Sequence, residues 1–540
     1  PPVSLQVVGR SGGEVVRRTA ANLRICHLGE IETVPPSVDP EEALVDPELG
    51  RVVVGRDLVA DLDDAAVLVD AIVPRVAPIG AGPWVAQRDA ERRIQPDATV
   101  GGTGPERVTF QITVRAAAND PEVDDGVMRS EVRDLERAFS RIETITRPGS
   151  ADEILLDGDS VLLRVDSLLQ LSAWPDPSAR VGIAVWVRCR ATDQEEEHDT
   201  EALGTSVVIR ASTLGQTPPS TNPADYDVVV LHTVVLLLAD SRSHAAPTAA
   251  LPLRPGVNLS ILAASWPRDP DPIGDLQDGF VRGRVAAQAL RPRIRGNLAF
   301  EGSALPDGPG STLTMLGVWQ DGPLELGGDL GSVVIDTCTL PSLRIAAGSG
   351  RAASVESVTI ERSEVGEVQV EGVLAVRVID SVVRSAFEVP EGTVALDQVT
   401  LLGPARVSVL DASNCIFDDT LEVARTQTGC IRFSWVTTEE TPRRHRCEPD
   451  RSFEGLDLDA LERARKVATL RPSWASVDPT EPGFATLRPD TPLPTATAGE
   501  DGGEPGSHFM LEHALRVDNT LTVLDDQVRF GPAYGLYVLI

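Results

Sequence analysis

The chain is predicted to be mainly β: a right-handed parallel β-helix (solenoid), with N-terminal α+β or β-rich domains and a C-terminal cap. Three observations predict it. Forty-one prolines and 45 glycines with only 4% aromatic residues favour many short elements joined by turns. One short phrase recurs, in which apolar residues run into an acid or amide and then resume: VVIDTCTL, VTIERSEV, VRVIDSVV, VALDQVTL and DASNCIF. Between these phrases helical periodicity is nearly absent.

Aligning the polar residue of each phrase selects Asp336, Glu361, Asp380, Asp397 and Asn414, at intervals of 25, 19, 17 and 17 residues. Irregular periods of about 20 residues suit stacked coils, none of which can bury its face alone. Asp and Asn suit a coil corner because their side chains bond the local backbone and tolerate unusual φ. The aliphatic residue before each, Ile379 for instance, is expected inside. Ser413 breaks that pattern.

Four regions are expected: 1–105 mixed α/β, 106–225 β-rich with one amphipathic helix, 226–450 the parallel β-helix, and 451–540 a helix, a Pro/Gly-rich loop and a capping segment. In the first, DLVADLDDAAVLVDAIV (57–73) has roughly helical apolar spacing. In the second, SEVRDLERAFSRIET (130–144) reads as a helix capped by Ser130, with Val132, Leu135, Phe139 and Ile142 on one face. Residues 192–204 and 217–227 read as exposed loops, and so does the Pro/Gly/Thr-rich stretch 478–507. The last residues, LTVLDDQVRFGPAYGLYVLI, are apolar enough to dock as a terminal strand or cap.

A net charge of -32 argues against nucleic acid and anionic membranes as partners. Lys466 is the sole lysine, in a helical context without a glycine-rich loop, so phosphate-loop and Schiff-base chemistry is not expected. The longest apolar run, VVVLHTVVLLLA (228–239), is too short to span a bilayer. PPVSLQVVGR at the start offers neither part of a secretory signal, so cytoplasmic synthesis is expected.

No catalytic or cofactor-binding residue is assigned, and no cofactor is expected. Cys415, Cys430, His445 and Cys447 could form a zinc site, but no close CxxC pair is present. A Cys430–Cys447 contact or disulfide, or plain buried thiols, are the alternatives. The laddered acids could hold Ca²⁺, but the dense glycine and aspartate nonapeptides of calcium solenoids are absent, and solvated corners account for them better. Arg362 and Arg377 near these acids would suit a polysaccharide-cleaving β-helix, as would paired carboxylates. The coils from 336 to 417 contain only Phe387 and Phe417 for stacking on sugars. His508 and His513 do not match HExxH, and TPRRHRC (441–447) is a basic patch expected to pair with neighbouring carboxylates or with an acidic partner face rather than with nucleic acid.

Several stretches resemble one family, the large β-helix-containing proteins associated with phage-tail-like, contractile-injection-type particles. They are LVDPELGRVVV (44–54), GAGPW (80–84), LLLADSRSH (236–244), ILAASWP (261–267), LRPRIRGNLAFEG (290–302), residues 411–450 from DASNCIF to RHRCEPD, and GGEPGSHFM onward from 502. The resemblance implies a structural or target-recognition component of a tail or baseplate. Its partners would be other particle proteins, in an oligomer or large assembly. It carries no catalytic residues. The alternative, from another class, is a carbohydrate-active protein or lectin acting on surface glycans.

Overall fold

A computed structural model describes most of 222–512, namely residues 222–265, 290–303, 310–346, 355–436, 441–443, 445–481 and 483–512. It also describes the shorter stretches 4–11, 14–19, 22–25, 39–46, 51–61, 63–70, 79–81, 108–115, 129–146, 151–157, 160–165, 184–189, 194–199, 206–210, 516, 519–520 and 522–523. The chain is mainly β and divides into two compact units. One holds residues 1–76 with 479–482 and 540, and the other holds the rest.

In the smaller unit Ser4–Ser11 lies between Glu14–Thr19 and Asp63–Asp70, antiparallel to both. The helix expected over 57–73 is therefore one turn, Arg56–Val59, followed by a strand. The run AAVLVD carries its apolar residues without a polar helical face, and cross-strand pairing decides it.

The larger unit is built on one parallel-strand sheet closing around a common core. Successive strands visit three ladders in turn. Ladder A runs from Arg129–Val132 through Val108–Val114, His232–Leu238, Val257–Leu262, Ser311–Leu316, Leu330–Asp336, Val355–Glu361 and Val373–Ile379 to rungs within Phe387–Asp397, Ala405–Ser413, Gly429–Trp435 and His445–Glu448. Ladder B includes Val382–Val383, Thr400–Leu401 and Ile416–Phe417. Ladder C includes Leu298–Gly302, Leu324–Gly328 and Leu421–Val423. Val108–Val114 is thus a rung of the same sheet as the strands from His232–Leu238 to His445–Glu448.

Side chains alternate along each rung, so every second residue of ladder A points inward. Val333, Val358, Val376, Val394 and Leu410 form one buried column, and Ile335, Ile360, Val378, Leu396, Ala412 and Ile431 the next. Each large aliphatic side chain so buried contributes about 1.5–3 kcal/mol. At one end the helix Leu135–Ile145 closes this core with Leu135, Ala138, Phe139 and Ile142. Its cap is Asp134, whose side chain accepts from Arg137 N at 2.9 Å, while Ser130 sits in the preceding strand. The stretches read as loops at 192–204 and 217–227 contain the strand Gln194–Asp199 and the start of Tyr226–Val230, both antiparallel to Ala184–Cys189.

The corners explain the recurring phrase and correct its alignment. Gly317, Thr337, Arg362, Asp380, Gln398, Asn414 and Phe433 all have φ between 45° and 73°. For the non-glycine residues this left-handed conformation costs roughly 1–2 kcal/mol each. Ladder bonds hold it: Thr337 N donates to Glu361 O at 2.9 Å, Arg362 N to Ile379 O at 3.0 Å and Asp380 N to Asp397 O at 3.1 Å. Asp380 and Asn414 are therefore corner residues, while Asp336, Glu361 and Asp397 stand one place earlier, in register with Ile379 and Ser413. Ile379 is half-exposed rather than interior, and Ser413 no longer breaks the pattern, because Ala412 fills the core.

The residue after each corner turns inward, and there a second device appears. Ser363 Oγ accepts from Cys338 N at 3.1 Å and donates to Glu361 O at 2.7 Å. Ser381 Oγ accepts from Ser363 N at 3.0 Å, and Ser434 Oγ accepts from Cys415 N at 3.0 Å. These hydroxyls satisfy backbone N–H groups that the tight corner turns away from the ladder.

Candidate functional site

Ladders A and B differ on their outer sides. The rungs Val382–Val383, Thr400–Leu401 and Ile416–Phe417 are buried on both sides. Their outer side is covered by residues 79–81 and by the C-terminal stretches 470–478 and 483–512. Ile79, Phe484 and Ala485 pack on Val382, and Leu487 and Trp474 pack with Ile416 and Trp435. Trp435 Nε1 donates to Leu470 O at 3.1 Å, Trp474 Nε1 to Asp418 Oδ2 at 3.0 Å, and Ser507 N to Thr400 Oγ1 at 3.0 Å. Gly506 lies so close to Thr400 that a Cβ there would stand 2.6 Å from its Oγ1. The stretch read as a surface loop over 478–507 is thus a covering strap where it is described. Small residues and prolines let it lie flat on the sheet.

Ladder A is buried on both sides at His232–Leu238 and Val257–Leu262, but from Val355–Glu361 onward it keeps an open outer side. The strap edge rises over it, anchored where Glu500 N donates to Asn414 Oδ1 at 2.8 Å and Gly506 N donates to Asn414 O at 2.7 Å. Between this edge and the rungs lies a cleft of about 500 Å³. Its floor is two outward columns: Arg377, Ala395, Asp411 and Cys430 in one, Asp397, Ser413 and Arg432 in the other. Glu500 and Phe509 form the wall, and the Phe509 ring packs where Gly499 and Gly503 lack side chains. Ala395 and Ser413 are small, which opens the floor between the longer charged groups.

Chemically, this cleft offers two guanidinium groups, three carboxylates, a hydroxyl and one aromatic ring. Adjacent rungs are about 4.8 Å apart and alternate residues about 7 Å, so Asp397 and Asp411 begin about 8 Å from each other along a diagonal. Arg362 does not reach the cleft. It grips the fully buried Asp336 with Nη2 2.9 Å from both carboxylate oxygens, a structural ion pair. Asp380 is half-buried, and burial, then Asp397 and Glu361, push its carboxyl up to about 6 against the pull of Arg362.

The cysteines expected as a zinc set form no disulfide among themselves. Cys415 and Cys447 are buried and free, Cys430 is half-buried and free on the outer side, and the His445 side chain lies outside the described residues. Among the described residues no three His, Cys, Asp or Glu side chains converge as a metal set. Burial pushes the thiols of Cys338, Cys415 and Cys447 up to about 12, which keeps them protonated and unreactive. His508 is buried, with Nε2 3.1 Å from Phe484 O, and serves the strap. His513 and residues 524–540, including most of the expected terminal strand, lie outside the described residues.

Glu500 and Phe509 escape sequence reasoning because they reach the cleft from about 70–130 residues downstream of its floor. A usable signal would have been the small residues Ala395 and Ser413 at outward positions. No family model, no curated protein and no solved structure matches this chain. Among the described residues no helix is long and apolar enough to cross a membrane.

Proposed function

We propose that this chain is a structural or target-recognition component of a phage-tail-like particle, built on a right-handed parallel β-helix and contacting its target through ladder A. The handedness follows from the strong preference of parallel crossovers for the right-handed connection. One observation carries the functional reading: over the same late circuits the protein seals one outer face of its stacked rungs with its own strap and leaves the neighbouring face open, with a cleft in it. A rigid ladder that spends its own chain on one face and presents the other is suited to recognition. The resemblance of residues 411–450 to tail-associated proteins supports the particle. Velocity sedimentation tests it: the chain should form an oligomer and co-sediment with sheath and tube proteins of a contractile particle. A free monomer that never co-sediments overturns the reading.

A carbohydrate-active role is the second reading, favoured by the cleft itself. Charged forks and an aromatic wall on an open sheet face suit a surface glycan. Release of reducing ends from a polysaccharide would mark an enzyme, and binding without release a lectin.

A further inference from the structure

We infer that the ladder A cleft binds an uncharged oligosaccharide, lying across the rungs with one sugar face against Phe509. The inference rests on the reading of ladder A as a recognition surface, and it specifies the ligand class.

Charge comes first. Arg377 and Arg432 are opposed by Asp397, Asp411 and Glu500 around the same volume. An anionic chain that satisfied the two guanidinium groups would be held against three carboxylates, and a cationic one would meet the converse. With three carboxylates against two guanidinium groups, an anion is disfavoured and a cation gains only the one surplus charge. A polyhydroxyl ligand gains from both, because a hydroxyl group donates to a carboxylate and accepts from a guanidinium. Charge-assisted hydrogen bonds of this kind are roughly twice as strong as neutral ones.

Shape points the same way. The floor spans the rungs from Val373–Ile379 to Gly429–Trp435, three spacings or about 14 Å, which fits a short extended chain. The small side chains of Ala395 and Ser413 lower the middle of that track, and the charged groups flank it. Among the described residues Phe509 is the single aromatic side chain lining the cleft, half-buried and fixed by the glycines behind it. A ring held in that way offers an apolar plane to the C–H face of a sugar at little entropic cost. The volume lies within the range of sites for small ligands.

Cys430 gives the test its reporter. It lines the cleft and is half-buried, whereas Cys338, Cys415 and Cys447 are buried. The rate of Cys430 alkylation by iodoacetamide, read by peptide mass spectrometry on the full chain, would be measured with two panels. One contains neutral gluco-, manno- and galacto-configured oligosaccharides, the other uronate and sulfated oligosaccharides. The expected result is saturable protection by at least one neutral sugar. Asp411→Asn, Arg432→Gln and Phe509→Ala should each weaken it about tenfold or more, the loss of one charge-assisted contact or the stacking plane. Thermal unfolding and unliganded alkylation rates of each variant verify that the cleft is intact.

Protection by the anionic panel alone, by neither panel, or with undiminished affinity in all three variants overturns the inference. Co-sedimentation with particle proteins is scored separately. Its failure with Cys430 protection intact removes the particle and leaves the saccharide site, and the reverse outcome removes only the site.

Discussion

The same circuits of chain have two outer faces with opposite fates. On ladder B the side chains facing away from the core are Val382, Thr400 and Ile416, all buried by the strap. On ladder A the corresponding positions are Arg377, Asp411 and Arg432, all exposed. The fold can bury both sides of a parallel rung, as parallel sheets commonly do, so an uncovered side is a choice made in the sequence. The difference teaches where stability and recognition reside: ladder B, the corners and the inward columns of ladder A hold the protein together, and the outward positions of ladder A can vary.

Substitutions can break that division. Trp435→Ala removes a fully buried indole from the strap contact and its hydrogen bond to Leu470 O, and should destabilise the larger unit by about 3–5 kcal/mol. Chemical denaturation followed by circular dichroism checks it, and an unchanged midpoint would detach the strap from stability. Ser363→Ala leaves Cys338 N without its acceptor in the dry interior, an expected loss of about 1–3 kcal/mol by the same measurement.

Asp380→Asn sharpens the comparison through pH. The folded-state carboxyl titrates at about 6, above its ordinary value of 3.8, so ionising it opposes the folded state. Its contribution to stability is complete below pH 4 and is lost as pH rises through 6. Asparagine, which already serves at the equivalent corner 414, keeps the left-handed geometry and removes the charge. The variant should therefore match the parent in thermal unfolding near pH 4 and exceed it at pH 7. The smallest effect belongs to ladder A. Asp411→Asn should change stability by less than about 0.5 kcal/mol in the same denaturation assay, although it lies in the cleft. A large loss would mean that the open face is structural too.

The parallel ladder was legible because corners punctuate it: each turn needs a residue that tolerates positive φ, and Asp380 and Asn414 are chemically suited to it. Register was misread by one residue for the same reason. Aspartate serves equally at the corner and just before it, so Asp336 and Asp397 mimic their neighbours. Thr337, Arg362, Gln398 and Phe433 hold the same backbone conformation, forced by ladder bonds and carrying no compositional mark. The strap was hidden for a different reason. A stretch rich in proline, glycine and threonine reads alike whether it is solvated or laid on a sheet, and only the partner surface decides. The cleft needed both facts at once, since its floor depends on register and its wall on the strap.

The strap also has a mechanical consequence. A stack in which each circuit holds only its neighbours opens from an end, one circuit at a time, like a zip. Here a single stretch of chain is hydrogen-bonded to Thr400, Asn414, Asp418 and Trp435, which belong to successive circuits. It acts as a splint: a pull on the last circuit is shared with those beneath it, and peeling requires several rungs to yield together.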